Sequence, residues 1–351
     1  MTAARLLART VRGIESLAAQ EIRSLGAVHH TAHREVWWTC ARPGPEVLDL
    51  RCADDVFLVA ATVAGIGHTR ADLRLLAKAV ATLDAGHVTA RRAAFGVFDR
   101  PSTVDVSASF LGRRNYTRYD LEDTVGEPLA AALGLAYHSR RDGKPAPPGL
   151  SWRLTVTDDR AVLALRIAPK PLHRRDYRRA TRPGALHPPL AAAMLRVADP
   201  PPGARLLDPF CGTGTIPIEA DLPLTAIGTD ADPSAIAAAT VNGRGSRVAW
   251  AVADAGRLPF PAGGIDVVVG NPPWNRQVRP AGALARRPHR FWHELTRVLS
   301  PTGRAVLLLP DADHHLAQAE RAGLATTDRR PVSLFGAHPE IVTVTPAPTR
   351  R

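Results

Sequence analysis

The chain has 351 residues, of which 45% are hydrophobic. That is length for two or three domains of about 100–200 residues each, with an ordinary globular composition. No apolar run reaches the roughly eighteen residues a membrane-spanning helix needs, which excludes a transmembrane helix, and the formal net charge of +12 points to a polyanionic partner.

In chain order, the opening dozen residues are basic and free of acids, as in a transit peptide. Arg5-Leu-Leu-Ala-Arg-Thr-Val-Arg12 lacks helical amphipathicity, however, and a first strand from Leu6 to Arg12 fits better. A helix from Ile14 to Leu25 stops at Gly26, and Glu35 to Cys40 reads as a second strand. Glu46 to Ala53 and Val56 to Ala64 continue a small α+β unit. Asp72 to Ala85 is an amphipathic helix, and Leu121 to Leu133 is another. Thr103 to Phe110, Ser151 to Val156 and Arg160 to Ile167 read as strands, with Lys144-Pro-Ala-Pro-Pro-Gly149 a surface turn.

The charge is uneven. Residues 1–190 carry 28 basic and 19 acidic side chains, whereas residues 191–351 carry 17 and 14. Arg166 to Arg182 alone holds seven basic residues against Asp176. Within it Arg174, Arg175, Tyr177, Arg178 and Arg179 form a basic strip with an interleaved aromatic, suited to phosphate contacts and base stacking. A solvated linker is the alternative. Cys40, Cys52 and Cys211 show no paired spacing, and His29-His30 and His314-His315 lack further ligands at metal spacing. Neither a disulfide framework nor a metal site is expected, and a reducing cytosol suits the chain.

The second half carries the chemistry. Ala204 to Leu207 is an apolar run leading into Asp208-Pro-Phe-Cys-Gly-Thr-Gly-Thr215, with a helix from Ile216 to Ala220. Such a glycine turn lets N–H groups at a helix start face an anionic ligand group. Ala226 to Asp230 is a strand ending in a carboxylate, placed to accept from ribose hydroxyls. Asp232-Pro-Ser caps a helix from Ala235 to Asn242, and Arg247 to Val252 is a strand ending at Ala253-Asp254-Ala255. Ile265 to Gly270 is a strand ending at Asn271-Pro-Pro-Trp274. A helix from Phe291 to Leu299, a strand from Gly303 to Leu309, and a hairpin of Val332 to Phe335 with Glu340 to Thr345 complete the half. The turn is not a dinucleotide fingerprint, since Pro217 stands where the third glycine belongs. No Gly-Lys-Ser/Thr follows either, which excludes a nucleotide-phosphate loop. Cys211, with no base near it in sequence, reads as a small filler of the turn rather than a nucleophile.

Asp208-Pro-Phe-Cys-Gly-Thr-Gly-Thr215 resembles the first motif of class I S-adenosylmethionine-dependent methyltransferases acting on nucleic-acid amines, and Asn271-Pro-Pro-Trp274 resembles their catalytic tetrad. The resemblance implies a Rossmann-like seven-stranded α/β domain with S-adenosyl-L-methionine as cofactor. It sets Asp208, Phe210, Gly212, Gly214, Thr215, Asp230, Asp254 and Ala255 around that cofactor, with Asp254 at the adenine amine. Asn271, Pro272, Pro273 and Trp274 become the catalytic residues: two carbonyls accept the N–H bonds of an exocyclic amine while the indole stacks on the flipped base. Asn275 departs from the glycine found in many RNA relatives.

Arg9-Thr-Val-Arg-Gly-Ile-Glu15, Arg174-Arg-Asp-Tyr-Arg178 and His187-Pro-Pro-Leu-Ala-Ala-Ala-Met-Leu195 further resemble THUMP-containing RNA methyltransferases. That likeness implies a ferredoxin-like domain over 1–65, a THUMP domain gripping RNA over 66–170, a basic linker over 171–190 and the methyltransferase domain over 191–351. The implied activity is methylation of an exocyclic amine in RNA, foremost guanine-N2 in tRNA. A 23S ribosomal-RNA guanine-N2 methyltransferase, an adenine-N6 nucleic-acid methyltransferase and a catalytically silent RNA-binding protein stand as alternatives. The oligomeric state is left open.

Overall fold

Alternating and continuous apolar strands sort into two sheets in the computed structural model, which describes residues 3–144, 146–220, 223–273, 282–334 and 336–348. Two units separate along the chain: Met1–Thr10 with Ala18–Leu172, and Val11–Leu17 with His173–Arg351.

In the first unit the elements are β1 (Ala4–Arg9), α1 (Glu15–Ile22, which crosses from residue 17 to 18), β2 (Ala27–Ala32), β3 (Glu35–Cys40) and β4 (Asp55–Val63). Then come α2 (Leu73–Ala81), α3 (Ala85–Ala90), β5 (Thr103–Phe110), α4 (Arg118–Leu133), β6 (Ala136–Tyr137), β7 (Leu150–Thr157) and β8 (Arg160–Arg166). The sheet order is β2-β3-β1-β4-β8-β7-β5-β6. Antiparallel pairing of β4 with β8 makes one sheet of strands drawn from residues 1–65 and 66–170. Strand β7 alternates, with Leu150, Trp152, Leu154 and Val156 buried against Leu121, Val125 and Leu129 of α4. Each such buried Leu or Val contributes about 1.5–3 kcal/mol.

Several expected boundaries move. The first strand ends at Arg9, and Arg12 instead forms a β-bridge with Ser333 inside the second unit. The His29-His30 pair lies on β2, an edge strand whose residues are nearly all exposed, so no burial pattern marked it. The helix expected over 72–85 splits into α2 and α3, because Asp84 caps a fresh start by accepting from the His87 N–H.

The second unit runs α5 (Pro188–Ala198), β9 (Arg205–Asp208), α6 (Thr215–Glu219), β10 (Thr225–Asp230), α7 (Pro233–Asn242), β11 (Ala249–Val252) and β12 (Ile265–Gly270). It closes with α8 (Arg290–Val298), β13 (Leu299–Leu309), α9 (Ala312–Arg321), β14 (Leu324–Pro331) and β15 (Glu340–Pro346). The order is β11-β10-β9-β12-β13-β15-β14, with only β15 reversed. This is the expected Rossmann-like seven-stranded arrangement. Chain order reverses between β9 and β12, so a crevice opens at their carboxyl ends, where open α/β sheets bind ligands. The hairpin differs from expectation in its first strand. Val332 and Ser333 lie in the connection, Phe335 lies outside the described residues, and the polar stretch Leu324–Pro331 forms the strand. As an outer strand exposed over much of its length, it needs no apolar run.

Helix α4 begins at a capping box: the Thr117 hydroxyl accepts from the Asp120 N–H (3.2 Å), and the Asp120 carboxylate accepts from the Thr117 N–H (2.8 Å). Thr117→Ala is expected to cost about 0.5–2 kcal/mol, measured as a fall in chemical-denaturation midpoint with the far-UV spectrum unchanged.

Candidate active site

The site is built where β9, β10 and β12 end. Asp208 closes β9 and is buried. The next residues turn sharply, with Gly212 at φ 52° and Gly214 at φ 83°, a left-handed conformation that glycine adopts without strain. Much of the turn's hydrogen bonding is internal. The Asp208 carboxylate accepts from the Phe210 N–H (3.0 Å), Asp230 accepts from the Gly212 N–H (3.0 Å) and the Asp232 N–H (2.9 Å), and the Thr229 carbonyl accepts from the Cys211 N–H (2.9 Å). The Gly214 N–H returns to the Cys211 carbonyl (2.7 Å). Four N–H groups of the turn are thus engaged within the protein, and the turn is a shaped wall lined by acids.

Behind this wall stands Trp250 on β11. A Cβ at Gly214, Gly228 or Gly243 would lie 2.5, 2.4 or 2.8 Å from its ring, so the indole packs directly on three stretches of backbone. Across the crevice Gly270 ends β12 so close to the turn that a Cβ there would lie 3.5 Å from Asp208 Oδ1. Asn271 and Pro272 follow at once. Asp254, just past β11, accepts from the Gly256 N–H (2.8 Å). Gly282, at φ 60°, comes so near that a Cβ there would meet Asp254 Oδ2 at 2.4 Å.

These groups surround one cavity of about 980 Å³. Its lining includes Asp208, Phe210, Gly212, Thr215, Asp230, Asp254, Ala255, Asn271, Pro272 and Pro273. Gly214 stays outside that lining, in the bend behind Thr213 and Thr215. Trp274 and Asn275 lie outside the described residues. Burial, with the neighbouring Asp230 adding to it, pushes the Asp208 carboxyl well above the usual carboxylate range. Burial likewise drives the Cys211 thiol far up, the state of an inert filler. Among the described residues, no group of three or more His, Cys, Asp or Glu side chains is placed to hold a metal ion.

The basic strip divides. Arg174 and Arg179 are exposed. Arg175 Nε donates to Glu219 Oε1 (3.0 Å), and the Tyr177 hydroxyl donates to the same oxygen (2.7 Å). The Glu219 side chain is wholly buried at the end of α6. Arg175 and Tyr177 therefore turn inward, because a buried carboxylate needs a cation and a donor. Sequence reading missed Glu219, since an acid in a short helix gives no signal of burial. It also missed Arg182, Pro183, Gly184, Ala185 and Leu186, which line the cavity with Leu334, Gly336, Ala337 and Pro339.

A tRNA (guanine(6)-N2)-methyltransferase of Thermus thermophilus is 30% identical over 96% of this chain and 98% of its own length. The chain belongs to the tRNA guanine-N2 methyltransferase family. It is an RNA methyltransferase. A family model described as the RMKL-like methyltransferase domain matches residues 175–227 and 221–339, a span holding the glycine turn, Asp230, Asp254 and Asn271. The crystal structure of TrmN from Thermus thermophilus superposes with a TM-score of 0.78 at 28% identity, covering 97% of this chain and 99% of that one. SMU.472, solved in complex with SAH, shares the fold at a TM-score of 0.73 and 16% identity over both chains in full.

Tyr177→Phe removes a hydroxyl donor to a buried carboxylate. A loss of about 1–3 kcal/mol is expected, seen as a lower melting temperature in the absence of any RNA.

Proposed function

We propose that this chain transfers the methyl group of S-adenosylmethionine to the N2 amine of guanine in tRNA, at position 6 as in the name of its Thermus relative. One observation carries the reading: the acid-lined glycine turn and the Asn271-Pro272-Pro273 segment open onto the same cavity. The residues fit the cofactor. Each Asp230 oxygen accepts one backbone N–H and keeps a further lone pair for a ribose hydroxyl. Asp254, whose carboxylate accepts from the Gly256 N–H, stands beside buried Ala255 as the partner for the adenine amine. Phe210, Thr215 and Ile216 add to the wall. When bound, S-adenosylmethionine supplies an electrophilic methyl group on a sulfonium.

The chain's own part is orientation. A guanine N2 amine is a poor nucleophile, because its lone pair is delocalised into the ring. The Asn271 side-chain carbonyl and the Pro272 backbone carbonyl accept its two N–H bonds, drawing the lone pair out of conjugation and toward the cavity. Asp208, buried and accepting from the Phe210 N–H, shapes the turn. Rate comes from positioning of the two reactants. Trp274 enters as a stacking partner through the sequence resemblance alone. In this reading residues 1–65 are ferredoxin-like, 66–170 are a THUMP domain that grips RNA, 171–190 are the linker and 191–351 are the methyltransferase domain. Exposed Arg174 and Arg179 add phosphate contacts, and the enzyme works in the cytosol, where its three buried thiols stay reduced.

Transfer assays with tRNA carrying guanosine or inosine at position 6 test the reaction. Inosine lacks the 2-amine, so guanosine is expected to yield N2-methylguanosine and inosine nothing; a methylated inosine transcript, or methyl on adenine-N6, would overturn the reading.

Asn271→Ala is expected to abolish turnover with the affinity for S-adenosylhomocysteine unchanged within a few-fold, checked by single-turnover kinetics and calorimetry. Arg174→Gln with Arg179→Gln is expected to weaken tRNA binding and flatten its salt slope by about 1.5 units, at roughly 0.7–0.9 per phosphate.

A further inference from the structure

Residues 175–186 form a strap over the cofactor side of the second unit, and its attachments are specific. Arg175 and Tyr177 hold Glu219 at the end of α6. Arg182 Nη1 donates to the Ser234 hydroxyl (2.6 Å), and its Nη2 pairs with Asp232. Between these anchors lies Asn242, the last residue of α7, which is 3% exposed. Its Oδ1 accepts from the N–H groups of Arg179 (2.9 Å) and Ala180 (2.8 Å). Its Nδ2 donates to the carbonyls of Ala180 (2.9 Å) and Thr213 (2.9 Å). Thr213 sits between Gly212 and Gly214, at the apex of the turn. All four hydrogen bonds a side-chain amide commonly makes in one plane are present, and they join the strap to the cofactor turn.

We propose that Asn242 is a positioning residue for cofactor binding. It touches neither reactant; it fixes the turn at Thr213 against the strap, whose continuation from Arg182 to Leu186 lines the cavity along with the turn. The turn has two residues in left-handed conformation and no regular secondary structure between Asp208 and Thr215, so its shape depends on such side-chain ties. The proposal rests on the cofactor reading above.

Asn242→Asp tests it on the full chain. The aspartate keeps an acceptor for Arg179 and Ala180 but sets a carboxylate oxygen against the Thr213 carbonyl in place of a donor. Relative to wild type, the Kd for S-adenosylhomocysteine and the KM for S-adenosylmethionine are expected to rise about tenfold or more, the equivalent of one net hydrogen bond. The kcat at saturating cofactor and the KM for tRNA are expected to hold within about threefold. That split separates positioning from a general loss of structure. A folded variant with cofactor affinity within about twofold of wild type overturns the proposal. Wild-type protein that fails to bind S-adenosylhomocysteine overturns the cofactor reading itself. Hydrogen exchange on the wild type decides the matter if the variant does not fold. The amides of Arg179 and Ala180, which do not line the cavity, are expected to exchange more slowly with S-adenosylhomocysteine present, and unchanged exchange overturns the proposal.

Discussion

A chain that leaves a strand and bends sharply carries N–H groups that no helix or ladder satisfies, and burying them unpaired is costly. The second unit answers this with acceptors brought from neighbouring strand ends. Asp208 and Asp230 stand at the ends of paired strands, and their carboxylates close the turn between them. The rest of the site follows from that closure. The two glycines must lie in left-handed conformation, the turn must face the crevice between β9 and β12, and Asn271 must emerge beside it.

The same logic operates at longer range. Glu219 is a carboxylate taken out of water, and it persists because Arg175 and Tyr177 reach it from a segment about forty residues away. A buried ion pair of this kind adds little net stability, since desolvation offsets much of the attraction. It does fix which way a basic segment faces. Two of the strip's arginines are left to solvent as a result, and the segment acquires an inner and an outer side.

The site was largely legible in the sequence because its two motifs terminate apolar runs, and the runs alone define where β9 and β12 end. Strands β3 and β5 match their expected limits for the same reason, since each carries a dense run of apolar or β-branched residues. What stayed hidden had no local signature. Edge strands β2 and β14 are polar along most of their length, because pairing on one side and solvent on the other suffice to hold them. Asn242 reads in sequence as an ordinary helix end, and only the tertiary fold brings it to Thr213. Arg175 and Tyr177 looked like surface because the acid that claims them lies in another element.

Trp250 carries a consequence for how such a chain can diverge. One indole occupies the space that side chains at 214, 228 and 243 would need, so these four positions form a single volume constraint spread over a turn, two strands and a helix end. None of the three glycines can drift singly while the indole remains. A lineage that exchanged Trp250 for a small residue would lift the indole from positions 228 and 243 together, while Gly214 stays tied to glycine by its left-handed backbone, and it would then have to refill the void before the turn lost its backing. Variation at 228 and 243 should therefore be correlated with position 250, with the aromatic changing first.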